Sequence, residues 1–257
     1  MNTKSLLIAA TSTALLAGSA SAGLVAHWTF DEGTGTTVTD LANGNVGTFG
    51  GGGVTFSSTV PTAIGSGTSV SFSTANNQIV VPDSASLSLT SDFSIAVWIN
   101  PIDDSGSARN IVAKSGNAAY RYRLSGNEGQ WMLLNDGAGS PPYQLFNGAA
   151  GTIVTNGAWN HIAVTTDFTA NELKFYLNGN LADTKTITET GVVDTAGDFL
   201  IGNYIAGNAE SYRGLMDDLR IYDHALSVGE VSALVPEPSS LALLSLSGLL
   251  IARRRRS

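Results

Sequence analysis

The side chains in this chain with the plainest capacity for chemistry are oxygen donors. Asp40, Asn43, Asn45 and Thr48 fall in one glycine-containing stretch, and Asp31 comes one turn earlier. Calcium takes six to eight oxygens at about 2.3–2.6 Å from carboxylates, amides and backbone carbonyls, and this stretch can offer several. A second acidic pair, Asp217-Asp218, stands far downstream in Gly214-Leu-Met-Asp-Asp-Leu-Arg-Ile-Tyr222. Period-two alternation places Leu215, Asp217, Leu219 and Ile221 on one face. A carboxylate on so apolar a face is costly unless it is paired or metal-bound. The alternative is that Asp31 and Asp40 only make turns and Asp217 only caps a backbone group.

A second group could hold sugar. Tyr120, Tyr122, Trp131 and Tyr143 lie mid-chain with Arg121, Arg123, Asn135 and Asp136 nearby, and the loop from Asn203 to Arg213 adds Tyr204 and Tyr212. Aromatic platforms flanked by amides and carboxylates suit glycans. Aromatic residues on alternating strands also pack inward, which is the expectation for Trp28, Trp98 and Trp159 and the favoured alternative for Tyr120, Tyr122 and Trp131.

Catalytic patterns are missing. Retaining glycoside hydrolysis needs two carboxylates about 5 Å apart, yet Glu32, Glu128, Glu172, Glu189, Glu210 and Glu230 are scattered, mostly in turns. His27, His161 and His224 are far apart, and there is no cysteine, no Gly-x-Ser-x-Gly elbow and no phosphate loop. The sequence predicts a non-catalytic protein.

The elements that must position these groups are strands. In Trp159-Asn-His-Ile-Ala-Val-Thr-Thr166, Ile162 and Val164 share a face. In Glu172-Leu-Lys-Phe-Tyr-Leu177, Leu173, Phe175 and Leu177 alternate with polar residues. Asn178-Gly179 then supplies the positive φ angles of a tight hairpin. Phe93 to Pro101 is apolar on both faces and so reads as central. Leu24 to Phe30 reads as the first strand, Phe49 to Gly53 as a glycine-rich surface loop, and Ser227 to Leu234 as a short helix with Ser227 and Glu230 in capping-box spacing.

Composition agrees: 43% hydrophobic, 13% charged and 29 glycines is too apolar for disorder and too rich in turn residues for a helical protein. Residues 1–22 read as a secretory signal peptide, with Lys4, an apolar run and Ser19-Ala-Ser-Ala22 before the cut. Setting aside Lys4, Arg253 to Arg256 and Glu237 leaves eight basic against twenty acidic residues, a net charge near −12. Such a domain is a poor candidate for nucleic acid or anionic polymers, leaving cations and neutral glycans.

Taken in order, Leu24-Val-Ala-His-Trp-Thr-Phe-Asp-Glu-Gly33, Val80-Val-Pro-Asp83 to Leu89, Phe93 to Pro101, Ile111-Val-Ala-Lys-Ser-Gly116, Trp159 to Asp167, Leu173 to Gly179 and Gly214 to Tyr222 resemble a laminin-G-like, concanavalin A-like jelly-roll domain. The resemblance spans residues 23–234. It implies an all-β sandwich of two curved antiparallel sheets with some twelve to fourteen strands. It also implies neighbouring first and last strands, and calcium held between the N-terminal loop and Asp217-Asp218.

Residues 235–257 are similar to a PEP-CTERM sorting signal: Pro236-Glu237-Pro238, an apolar run too short for a stable span, then Arg253, Arg254, Arg255 and Arg256. The arginines would hold that end on the cytoplasmic side. This resemblance implies export in a Gram-negative bacterium, transient membrane anchoring, cleavage by an exosortase, and a place at the cell surface or outside. The functional expectation is a surface or matrix module binding a polysaccharide or envelope protein. Its rival is a structural matrix protein without a ligand site, and clustered surface aromatics would favour the former.

Overall fold

The turn at Asn178 and Gly179 has φ angles of 50° and 77°, the left-handed pair the Asn-Gly sequence predicts. It joins two strands of an antiparallel meander, and the same logic repeats along the chain. The computed structural model describes residues 23–102, 108–125, 129–138, 143–205 and 210–236. The predicted leader lies outside the described residues, as do Glu128, Glu237, Pro238 and Arg253 to Arg256.

In chain order the strands are β1 (Leu24–Trp28), β2 (Thr37–Thr39), β3 (Val46–Gly50), β4 (Val54–Ser57), β5 (Ser69–Phe72), β6 (Gln78–Val81), β7 (Phe93–Pro101) and β8 (Arg109–Lys114). They continue with β9 (Tyr120–Ser125), β10 (Gly129–Asn135), β11 (Tyr143–Asn147), β12 (Asn160–Asp167), β13 (Glu172–Leu177), β14 (Asn180–Thr186), β15 (Phe199–Ile201) and β16 (Gly214–Tyr222). One short helix follows, α1 (Val228–Ala233), closed by the predicted capping box between Ser227 and Glu230.

Two antiparallel sheets face each other. The first runs β14-β13-β12-β7-β16-β5-β4, with β1 also on β16; the second runs β11-β10-β9-β8-β15-β6-β3-β2. Sixteen strands among the described residues exceed the twelve to fourteen expected. The surplus comes from short N-terminal strands: β3 runs into the segment read as a glycine-rich loop, pairing Thr48, Phe49 and Gly50 with β6.

The core lies between the sheets. Phe93, Ile95, Val97 and Ile99 of β7 point into it, with Ile162 and Val164 of β12 and Leu173 and Phe175 of β13. Trp28 stacks on Phe199 across the layers at 5.7 Å. The opposite face of β7 is also covered, because Ala96, Ala163, Tyr176 and Tyr222 pack under Leu226 and Val231. A strand buried on both faces is apolar throughout, as β7 is. No helix among the described residues is long and apolar enough to cross a membrane.

Strand β16 organises the first sheet. One edge pairs with β7; the other takes β5 along Gly214 to Met216 and β1 along Leu219 to Tyr222. Asp217 and Asp218 fall where that second edge passes from one partner to the other.

Candidate functional site

At that handover β16 carries a β-bulge. Asp217 opposes Trp98 and Arg220 opposes Ala96, so three steps on β16 match two on β7. Asp218 is the extra residue, with φ at 51°. The bulge corrects the alternation read from sequence: Met216, Leu219 and Ile221 enter the core, while Asp217 leaves the apolar face and shares the outer one with its cross-strand partner Trp98. Inserting one residue inverts every side chain on one side of it, which a strict period of two does not foresee.

Chain segments flanking the gap between β1 and β5 supply the rest of the site. Phe30, at φ 57°, turns the chain after β1 so that Asp31 Oδ1 accepts the Thr68 N–H at 2.9 Å. A Cβ on Gly67 would lie 2.0 Å from that oxygen, so the approach needs glycine. His27, Asp31, Asp217, Asp218 and Arg220 line a cavity of about 310 Å³, walled by Ile64, Leu234 and Pro236.

The two adjacent carboxylates differ sharply. Asp218 Oδ1 lies 2.6 Å from His27 Nε2 and accepts from Arg220 Nε at 3.0 Å. Burial alone would push Asp218 up, but these two partners outweigh it and leave its carboxyl below the usual range. Asp217 is 2% exposed and its Oδ2 has no hydrogen-bond partner. Burial, with the Asp218 charge behind it, pushes Asp217 up to about 8.

The calcium set read from sequence divides. Asp31, Asp217 and Asp218 meet at one cavity. Asp40 instead lies along the free edge of β1, its Oδ1 accepting from the N–H groups of His27 (2.7 Å) and Ala42 (2.8 Å). Its Oδ2 accepts from the Asn43 N–H (3.1 Å) and Asn45 Nδ2 (2.7 Å). Asn43 Nδ2 is spent on the Val25 carbonyl, and Thr48 stands exposed in the second sheet. Among the described residues, no three His, Asp or Glu side chains form a group that could hold a metal ion.

The aromatic set divides as well. Tyr120, Tyr122 and Tyr212 are core residues, so none is a ligand contact: the inward-packing alternative holds for Tyr120 and Tyr122, and the ligand reading of Tyr212 is corrected. Their hydroxyls donate to the Leu87 carbonyl (3.0 Å), to Gln130 Oε1 and to the Leu215 carbonyl (2.9 Å), and burial raises all three phenols. Trp131, Tyr143 and Tyr204 remain half-buried. In β9 the tyrosines face inward and Arg121 and Arg123 outward. Register then places Trp131 beside Arg123, Leu133 beside Arg121 and Asn135 beside Tyr143 on the second sheet. The Arg123 guanidinium lies 4.6 Å from the Trp131 ring centre and that of Arg121 4.3 Å from Tyr204. Trp159 is half-buried rather than core. His161 packs edge-on against Trp98 at 5.3 Å, and burial pushes it down to about 4, so it is neutral at pH 7.

A family model for the concanavalin A-like lectin/glucanases superfamily, the laminin-G type, matches residues 73–232. This is more than half of the chain, and the chain belongs to that superfamily. Residues 234–256 match the PEP-CTERM protein-sorting motif, the mark of exported, exosortase-processed surface proteins of Gram-negative bacteria.

The chain is 25% identical over 187 residues to adhesion G-protein coupled receptor V1 of Danio rerio, covering 70% of this chain and 3% of that much longer protein. Among solved structures, the binding domain of Paraclostridial Mosquitocidal Protein 1 superposes with a TM-score of 0.64 at 20% identity, over 83% of this chain and 52% of that one. Domain 4 of AbnA, an extracellular arabinanase of Geobacillus stearothermophilus solved with arabinotriose, gives 0.61 at 22% identity, over 84% and 99%. At these identities the likeness is one of fold.

Proposed function

We propose that this protein is an exported, non-catalytic module that binds a polysaccharide at the cell envelope through the outer face of the second sheet. One observation carries the reading. Trp131, Tyr143 and Tyr204 stay half-buried on the outer side with Arg123, over the more deeply set Arg121 and Asn135, while the other mid-chain tyrosines are sealed in the core. Clustered surface aromatics are what a sugar-binding face needs and a purely structural sheet does not. The arabinanase domain solved with arabinotriose supports the choice of carbohydrate over an envelope protein.

Anchoring before release falls to the sorting motif, with exosortase as processing partner. The test is affinity electrophoresis of the full mature chain, and of its Trp131→Ala variant, through gels containing the host's own exopolysaccharide. Retardation of the mature chain that the variant loses is expected; equal mobility with and without polysaccharide removes the reading.

Calcium enters as a second reading, favoured by the orphaned Oδ2 of Asp217, a residue that lines the same cavity as Asp31. These two carboxylates would hold the ion, Asp218 being committed to His27 and Arg220, with carbonyls and water completing the shell. Its work would be structural, relieving the buried charge on Asp217 at the junction of β1, β5 and β16.

A further inference from the structure

The geometry points to a subsite for the carboxylate of an acidic sugar at Arg121 and Arg123. This inference rests on the glycan-binding reading and names the ligand class. It reverses what net charge alone implied, because charge is not spread evenly over this surface.

Four of the eight lysines and arginines of the described chain are matched at close range by acids. Lys114 bonds Asp83, Lys174 bonds Glu172, Lys185 pairs with Asp183 and Arg220 with Asp218. Arg121 and Arg123 break the pattern. They are two residues apart on β9, so both side chains rise from the same face, and among the described residues one carboxylate serves them: Glu210, 3.9 Å from an Arg123 terminal nitrogen. That acid is 40% exposed and at the outer limit of an ion pair, where the interaction is weak. Neither guanidinium finds an acceptor for its Nε.

Both cations are nevertheless held in place. Arg121 is 6% exposed and lies at the Tyr204 ring, and Arg123 lies at the Trp131 ring. Stacking on an aromatic ring fixes a guanidinium plane without neutralising its charge. Burial lowers the proton affinity of both, and at Arg123 the neighbouring Arg121 lowers it further. Two ordered, under-neutralised guanidiniums side by side match the two oxygens of a carboxylate.

The surroundings suit a chain of sugars rather than a small ion. Trp131 borders a cavity of about 300 Å³ with Ser125, Asn147 and Ile153, and Tyr204 borders another of about 270 Å³ with Gln78 and Asp198. The arginine pair lies between them, so an oligosaccharide crossing the sheet would present its acidic residue to the pair and its neighbours to the flanking cavities.

The experiment uses the full mature chain and three uronate polymers, polygalacturonate, alginate and hyaluronate, each beside its carboxyl-esterified form, with poly-glutamate as control. We expect at least one uronate polymer to bind at least tenfold tighter than its ester, with affinity falling as salt rises. Arg121→Gln/Arg123→Gln should abolish that preference. Glu210→Gln, which removes the competing acid and spares both arginines, should tighten uronate binding even if the double variant folds poorly. Equal affinity for acid and ester forms overturns the subsite but leaves glycan binding standing. Poly-glutamate binding as tightly as the uronates overturns the sugar assignment. Binding of none of these polymers, with the host polysaccharide still retained through Trp131, overturns the acidic subsite alone.

Discussion

Imidazole Nε2 of His27, on the first strand, lies 2.6 Å from Asp218 Oδ1 on the last, across 191 positions of chain. The pair sits where β1 takes over from β5 along β16, so it ties the N-terminal strand to the sheet at that handover. The next residue, Asp217, has no such partner for Oδ2, and the two carboxylates respond to pH in opposite senses.

Asp217 is raised to about 8 in the folded protein from an ordinary 3.8. Its contribution to stability is therefore full below about pH 4 and is lost as pH rises through about 8, at no more than about 1.4 kcal/mol per unit. Asp218 is lowered, so its contribution is present above pH 4 and is lost as pH falls through its folded value. Urea unfolding in chelator should show stability declining from about pH 6.5 to 8.5, above the range where the depressed His161 adds an opposing rise, and Asp217→Asn should flatten that slope. An unchanged slope in the variant would remove Asp217 as its source.

Calcium makes a separate expectation at the same residue. Adding millimolar calcium to chelated protein should raise the melting temperature, and Asp31→Asn or Asp217→Asn should each suppress the rise. Asp40→Asn should lower stability by about 1–3 kcal/mol with or without metal, since Asp40 accepts four N–H groups. A melt indifferent to both calcium and chelator takes the ion out of the account.

Tyr122 and Trp131 are aromatic residues with opposite duties. Tyr122→Phe leaves the buried Gln130 amide without its hydroxyl donor and should cost about 1–3 kcal/mol by chemical denaturation. Trp131→Ala should cost far less stability while removing polysaccharide retention.

Gly67 gives a steric test. At φ 124° and with Asp31 Oδ1 only 2.0 Å from where a Cβ would stand, Gly67→Ala should destabilise by about 1–3 kcal/mol. It should also displace Asp31, so any calcium response should weaken with it.

The alternating runs, the Asn178-Gly179 turn, the capping box at Ser227 and the apolar span of Phe93 to Pro101 were all legible without coordinates, because they are local consequences of backbone geometry and side-chain period. So was membership of the sandwich class, since the ordered strand motifs carry it. The chain by itself also placed candidate chemistry in the right residue types: acids early and late, aromatic residues and arginines in the middle.

Only the folded molecule decided which of those residues meet. A one-residue bulge at Asp218 turned Asp217 away from the core and beside Trp98, and no reading of a period of two contains that insertion. The pairing of β1 and β5 along one edge of β16 brought Asp31 to Asp217 and left Asp40 to its own loop and the backbone of β1. Across β9, the pairing of the sheets divided an alternating Tyr-Arg-Tyr-Arg run into a pair facing the core and a pair facing outward. Local periodicity fixes which side chains share a face, whereas long-range strand pairing fixes which face is covered and what lies next to it.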